Sequence, residues 1–141
     1  EKQKVKRVYG LNETHMKNLY KEASKSGGDK GANLLQLLEI RLDNVVFLLG
    51  FAASRPNARQ MVTHGKIVVN GKKVDIPSYR VSIGDKVELK DPSKKAPAPS
   101  YIQTPPWLKR SAKGGEVLSL PNRNMIDRDI KENLIVEFYS K

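Results

Sequence analysis

Arg55 and Arg59 stand four residues apart in the segment Ser54-Arg55-Pro56-Asn57-Ala58-Arg59-Gln60-Met61-Val62. On a helix that spacing stacks two side chains one above the other, and guanidinium forks grip phosphate oxygens two at a time. The chemistry implied is capture of adjacent phosphates along a polyanion. Ser54 suits an N-cap, and Pro56 falls in the first turn, where its missing N–H costs nothing. The unpaired N–H groups of such a helix start also offer a positive dipole end to a phosphate. Ala58, Met61 and Val62 make the inward stripe, so Arg55, Arg59 and Gln60 are expected to face outward. Lys66, Lys72 and Lys73 are expected on the same side, and Tyr79-Arg80 adds a ring and a guanidinium suited to stacking on an unpaired base. At the N-terminus Lys2, Lys4, Lys6 and Arg7 form a basic lead-in with Val5, Val8 and Tyr9 interleaved.

Plainer readings stand beside these. Arg55 and Arg59 could line a solvated helix face. His64, just before Gly65, either donates to a phosphate or base or serves as a helix-end cap. Lys72 and Lys73 either meet the polyanion or protect an edge strand. Tyr79 either stacks or packs. Trp107, after Pro105 and Pro106, is expected as a core anchor in an extended segment, and His15 on a solvated face.

Charge across the whole chain agrees with the local chemistry. The 141 residues carry 26 Lys and Arg against 15 Asp and Glu, a net charge of +11 with an isoelectric point near 9.9. A field of that sign concentrates polyanions, nucleic acid above all. The basic excess lies in residues 1–30 and 51–95, on either side of a nearly neutral, Leu-rich stretch. No apolar run is long enough to cross a bilayer, and no basic amphipathic helix argues for a membrane surface. The charged N-terminus has no apolar block behind it, so no secretory signal is expected. The absence of cysteine excludes disulfides and thiolate metal sites and fits a reducing compartment.

The elements that must position these residues follow from local signals. Asn12 is a plausible N-cap for a helix carrying Met16, Leu19, Tyr20 and Ala23, stopped by Gly27-Gly28. From Leu34 to Leu49 the apolar residues cover more than one face, which predicts one bent buried helix or two short ones, ended by Gly50. Gly65 should stop the Ser54 helix. Asn70-Gly71 between Ile67-Val68-Val69 and Lys72-Lys73-Val74 predicts a hairpin, because a type I′ turn needs positive φ at both positions. Residues 76–81 read as an extended loop, Gly84-Asp85 as a turn, and residues 86–89 as a strand. Residues 91–100 have the composition of a linker. Gly114-Gly115 is expected to turn the chain into a strand at 116–120, and residues 134–139 to form a last strand.

Catalysis has little support. No Ser/His/Asp arrangement and no phosphate-cradling Gly loop occur. Arg41-Leu42-Asp43 is a triplet that pseudouridine synthases also carry, with the Asp as nucleophile. Here it opens a buried helix, so Asp43 is read as a helix-start cap or an ion-pair partner. No cofactor and no metal are expected.

Arg41-Leu42-Asp43-Asn44, Ser54-Arg55, Ala58-Arg59-Gln60, His64-Gly65, Val69-Asn70-Gly71, Ile76-Pro77-Ser78-Tyr79 and Gly84-Asp85 resemble, in order and spacing, the small RNA-binding domain named after the fourth protein of the small ribosomal subunit. That domain also occurs in tyrosyl-tRNA synthetases, some pseudouridine synthases and a heat-shock protein. Residues 5–10 and 132–141 look like the bacterial ribosomal family itself, so the resemblance covers most of the chain. It implies an α+β architecture: a mainly helical domain, residues 1–40 completed by 130–141, with an inserted mixed α/β RNA-binding domain at 41–90 containing a small antiparallel sheet. Residues 91–129 would then be a Pro-rich linker and an extension of the second domain.

The resemblance further implies a structural, non-enzymatic constituent of the small subunit in the cytoplasmic ribosome. Such a protein is a primary binder of small-subunit ribosomal RNA at a multi-helix junction; it nucleates assembly of the body and contributes to translational accuracy. Its partners would be that RNA, neighbouring small-subunit proteins, notably the fifth, and messenger RNA near where it enters, with no membrane. Relatives usually carry several dozen residues before the equivalent of Glu1, in some cases with zinc-binding cysteines, so an N-terminal arm is expected in the family. Where the family commonly has a helix after the domain's last strand, this sequence has the Pro-rich stretch. The expected RNA-binding set is Lys2, Lys4, Lys6, Arg7, Ser54, Arg55, Asn57, Arg59, Gln60, His64, Lys66, Lys72, Lys73, Ser78, Tyr79 and Arg80. Rival readings are an RNA-modifying enzyme anchored by the same domain and a stress factor that binds stalled large subunits.

Overall fold

Side-chain caps set the first helices. In a computed structural model of the chain, residues 3, 6, 9, 11–25, 27–91, 104–111 and 114–121 are described. Lys2, Lys4 and Arg7, the Pro-rich residues 92–100 and the expected last strand at 134–139 lie outside the described residues. The chain divides into two compact units, Glu1–Glu39 with Pro121–Lys141, and Ile40–Leu120.

In the first unit, helix α1 (Glu13–Lys25) begins where the Asn12 side chain accepts the His15 N–H at 2.9 Å. Glu13 in its first turn and Lys25 in its last complement the helix dipole. Gly27 and Gly28 both take positive φ and reverse the chain. Asp29 then caps α2 (Lys30–Glu39) by accepting the Gly31 N–H at 2.9 Å, while the Asn33 amide donates back to the Ala23 and Gly27 carbonyls at the end of α1. Met16 and Ala23 of α1 meet Leu34, Leu35 and Leu38 of α2 in a core that also holds Tyr9 and Leu11. Within it the Tyr9 hydroxyl donates to Glu39 at 2.7 Å, satisfying a buried carboxylate oxygen.

The second unit opens with two further helices, α3 (Leu42–Leu48) and α4 (Arg55–Thr63), packed on each other. The Leu-rich stretch is thus two short helices, broken at Ile40-Arg41. The loop at 77–79 covers the start of α3: the Tyr79 and Pro77 carbonyls accept the Leu42 and Asp43 N–H groups at 2.7 and 3.2 Å. Those are donors that a helix start leaves unpaired. Arg41 grips Asp43 with two bonds of 3.2 Å, and the same carboxylate accepts the Asn44 N–H at 2.8 Å. Asp43 is therefore an ion-pair partner held inside the fold rather than a group exposed to a substrate.

Five antiparallel strands complete this unit: β1 (Ile67–Val69), β2 (Lys72–Lys73), β3 (Lys86–Leu89), β4 (Leu108–Arg110) and β5 (Gly114–Val117), in the spatial order β2-β1-β3-β5-β4. Asn70 and Gly71 take φ of 52° and 82°, the double positive φ of the expected type I′ hairpin. Asn70 does more than turn: its side chain donates to Asp85 at 3.0 Å and accepts the Lys86 N–H at 2.9 Å, fastening the hairpin to the start of β3.

Two expectations near the end of this unit need correction. Gly114 and Gly115 do not turn the chain; they lie in β5, paired with Glu88 and Val87 of β3. A Cβ on Gly115 would overlap the Leu49 side chain and one on Gly114 the β3 backbone, so close approach is the reason for both glycines. The strand ends at Val117 rather than reaching residue 120. Trp107 is fully buried, as expected of an anchor. It sits in a turn rather than an extended segment, for the Leu108 N–H returns to the Pro105 carbonyl at 3.1 Å.

Candidate nucleic-acid interface

Helix α4 is the element that carries the arginines. Ser54 caps it, its hydroxyl accepting the Asn57 N–H at 3.2 Å. The Asn57 side chain replies by accepting the Ala53 N–H at 3.3 Å. Asn57 is half-buried, and this part of it is engaged in the helix start. Ala58, Met61 and Val62 are buried, as the stripe required, and Gln60 and Thr63 are exposed. An open depression lined by Pro56, Asn57, Arg59, Gln60 and Thr63 runs along the outer surface of the helix.

Arg55 departs from the expected outward pose. Its Nε donates to the Asn44 side chain at 3.1 Å, and its guanidinium carbon stands 4.5 Å from the centre of the Phe47 ring. As the first residue of α4 it lies over α3, where an aromatic face and an amide offer it a cation–π and a hydrogen-bond partner at once. Arg55 is consequently half-buried and fixed in place, while Arg59, one turn on, is half-buried on α4. The two remain on adjacent turns, and Arg55 is tethered to α3 through Asn44 and Phe47. Asn44 belongs to the Arg41-Leu42-Asp43-Asn44 motif, but neither it nor Phe47 was expected as a partner of Arg55, because a contact between two helices leaves no local signature.

Helix α4 ends at Thr63. The Gly65 N–H returns to the Val62 carbonyl at 3.0 Å and the Lys66 N–H to the Met61 carbonyl at 3.0 Å, a pairing that needs the positive φ of Gly65. His64 is the cap residue, its N–H bonded to the Gln60 carbonyl at 2.9 Å, and its residue is exposed; the backbone role and an accessible ring coexist.

Lys66, Lys72 and Lys73 do not share one side. Successive strand residues point to opposite faces, and Lys72 lies opposite the buried Val69 while Lys73 lies opposite Val68. Lys73 extends over Gly65, its Cδ 3.1 Å from where a Cβ there would stand. Lys66 lies on the face of Val68 and Lys73. All three lysines are exposed. Lys90, which sequence reasoning passed over, joins them: its N–H donates to the Lys66 carbonyl at 2.8 Å. Only the register of β1 on β3 places it there.

The loop residues have mixed positions. Ser78 is exposed, and Tyr79 and Arg80 are half-buried, with Arg80 bridged to Arg41. Lys6 belongs to the first unit and is paired with Glu13 at 3.0 Å, so its ammonium is engaged within the chain. Among the described residues no group of three His, Cys, Asp or Glu is placed to hold a metal ion, and no helix is long and apolar enough to cross a membrane.

Two helices, a glycine stop and a lysine-edged hairpin, ordered in this way, define a small α/β RNA-binding module, and residues 40–87 match the family model described as the S4 domain. Residues 1–39 match that of the ribosomal protein S4/S9 N-terminal domain. Over its whole length the chain is 54% identical to small ribosomal subunit protein uS4 of Thermoanaerobacter sp. (strain X514), covering 72% of that relative. It is 51% identical to the protein of the same name in Caldicellulosiruptor saccharolyticus and 48% identical to that of Clostridioides difficile (strain 630), again over all of this chain and 72% of each relative. The chain belongs to the uS4 family of small ribosomal subunit proteins.

Proposed function

We propose that this chain is a structural, non-enzymatic constituent of the small ribosomal subunit, in the cytoplasmic ribosome, that binds small-subunit ribosomal RNA directly. The observation that carries this reading is the likeness to uS4 proteins over the entire chain, through both matched domains. The geometry supports it with the exposed or half-exposed cationic groups Arg55, Arg59, Lys66, Lys72 and Lys73, and with His64 exposed among them. Phosphate contacts from these residues supply affinity, and fit to a folded junction supplies selectivity. Ser54, Asn57, Gln60, Ser78, Tyr79 and Arg80 complete the surface, and Lys2, Lys4, Lys6 and Arg7 add a basic arm.

In this reading the chain is a primary binder that nucleates assembly of the body and contributes to translational accuracy. Its neighbours are other small-subunit proteins, notably the fifth, and messenger RNA near where it enters the subunit. Residues 1–39 with 121–141 make the first domain, and 40–120 the RNA-binding domain with its extension. Chemical footprinting of small-subunit ribosomal RNA with the chain alone, beside the double variant Arg55→Ala, Arg59→Ala, tests the core of the proposal. Protection confined to one multi-helix junction and lost in the variant is expected. Diffuse protection that the variant leaves unchanged would mean that net charge alone binds the RNA.

A further inference from the structure

The α4 stop and the ends of β1 and β3 enclose a hollow of about 500 Å³, lined by Met61, His64, Gly65, Lys66, Leu89, Lys90 and Asp91. Its volume lies within the range of small-ligand sites. Met61 and Leu89 are each 7% exposed and offer an apolar floor, while His64, Lys66 and Lys90 stand exposed around it. Resting on the RNA-binding reading above, we propose that this hollow receives a single unpaired nucleobase of the bound RNA, with the adjoining phosphate held by Lys66 and Lys90.

Three features carry the assignment. Lys66 and Lys90 face each other across the β1–β3 pair, joined by the 2.8 Å bond between their backbones. Neither ammonium is ion-paired with a carboxylate among the described residues, so both are open to an anion. The backbone on both sides is already bonded, Lys66 donating to Met61 and accepting from Lys90, so the rim is rigid and only side chains adjust.

The floor, in turn, suits a flat ring rather than a phosphate alone. A thioether and an aliphatic side chain beneath a base give sulfur–aromatic and dispersion contacts, and unpaired RNA bases are commonly recognised by insertion between side chains. Gly65 lets the chain pass without a Cβ, and the Lys73 stem closes the side beyond it. Asp91 completes the lining.

The test is zero-length ultraviolet crosslinking of the full chain to small-subunit ribosomal RNA, with adducts mapped after trypsin, because such crosslinks form through bases and not through phosphates. The expected result is a nucleotide adduct on the peptide from Gln60 to Lys66, together with an affinity about tenfold lower for the exposed-residue double variant Lys66→Ala, Lys90→Ala. Adducts on other peptides only, with that variant binding as tightly as the parent, would overturn the base site while leaving the RNA reading intact. A hollow built for an acidic peptide would give that same pattern, with polyglutamate and not RNA perturbing the His64 resonances. If the chain neither crosslinks anywhere nor loses affinity in Arg55→Ala, Arg59→Ala, the RNA reading itself falls, and this site with it.

Discussion

At the end of α3, Gly50 takes φ of 80° and the Phe51 N–H returns to the Val46 carbonyl at 3.2 Å. At the end of α4, Gly65 takes φ of 72° and the Lys66 N–H returns to the Met61 carbonyl at 3.0 Å. The backbone motif is the same at both places. After Gly50 the chain continues inward with Phe51 and Ala52, 1% and 0% exposed; after Gly65 it emerges at exposed Lys66 beside an open hollow. A glycine in the left-handed region decides that the chain reverses. The residue behind it decides whether the corner belongs to the core or to a binding surface.

The largest expected effect belongs to the Gly65 corner. If about six phosphates are neutralised, log K for ribosomal RNA should fall against log salt with a slope of roughly −4 to −5, a loss of roughly 250- to 1,000-fold between about 50 and 200 mM. Lys66→Ala with Lys90→Ala removes the grip on one phosphate and should flatten that slope by roughly 0.7 to 0.9, measured by filter binding; an unchanged slope would break the contrast between the two corners. Next comes the Gly50 corner, where Phe51→Ala should destabilise the protein by about 3–5 kcal/mol in urea denaturation. Lys66→Ala should stay within about 0.5 kcal/mol of the parent in the same measurement. Similar costs for the two would show that both corners are structural.

Smaller effects sharpen the comparison. Gly50→Ala and Gly65→Ala should each cost about 1–2 kcal/mol, since both place a Cβ in the left-handed region. Gly65→Asn should recover part of the loss, because Asn tolerates that conformation. Ser54→Ala should cost about 1 kcal/mol by removing the bond to the Asn57 N–H. A melting temperature unchanged in Ser54→Ala would show that the first turn of α4 is held by its contact with α3 instead.

Much of the fold was legible because its signals are local. Asn12, Ser54, Gly50, Gly65 and Asn70-Gly71 each act through their own dihedrals or on a backbone group a few residues away, and each acts where the sequence placed it. The inward stripe of α4 and the burial of Trp107 were readable from the sequence as well, while the α+β class followed from the family resemblance. Within the candidate site, Gln60, His64, Lys66, Lys72 and Lys73 are exposed as required, but the arrangement of the cations was not readable.

Sequence alone determined where helices start and stop, where the hairpin turns and which family the motifs resemble, since short-range sterics and capping bonds do not depend on distant partners. Only the tertiary structure decided that Arg55 folds back onto Phe47 and Asn44, that Lys72 and Lys73 part company, and that Lys90 stands beside Lys66. It also decided that Gly114 and Gly115 serve close packing rather than a turn. For Lys72 and Lys73 the alternation of a strand suffices once the hairpin forms; the other three depend on the register or approach of segments joined through irregular chain, and that geometry is set by burial of the whole core rather than by any neighbouring residue.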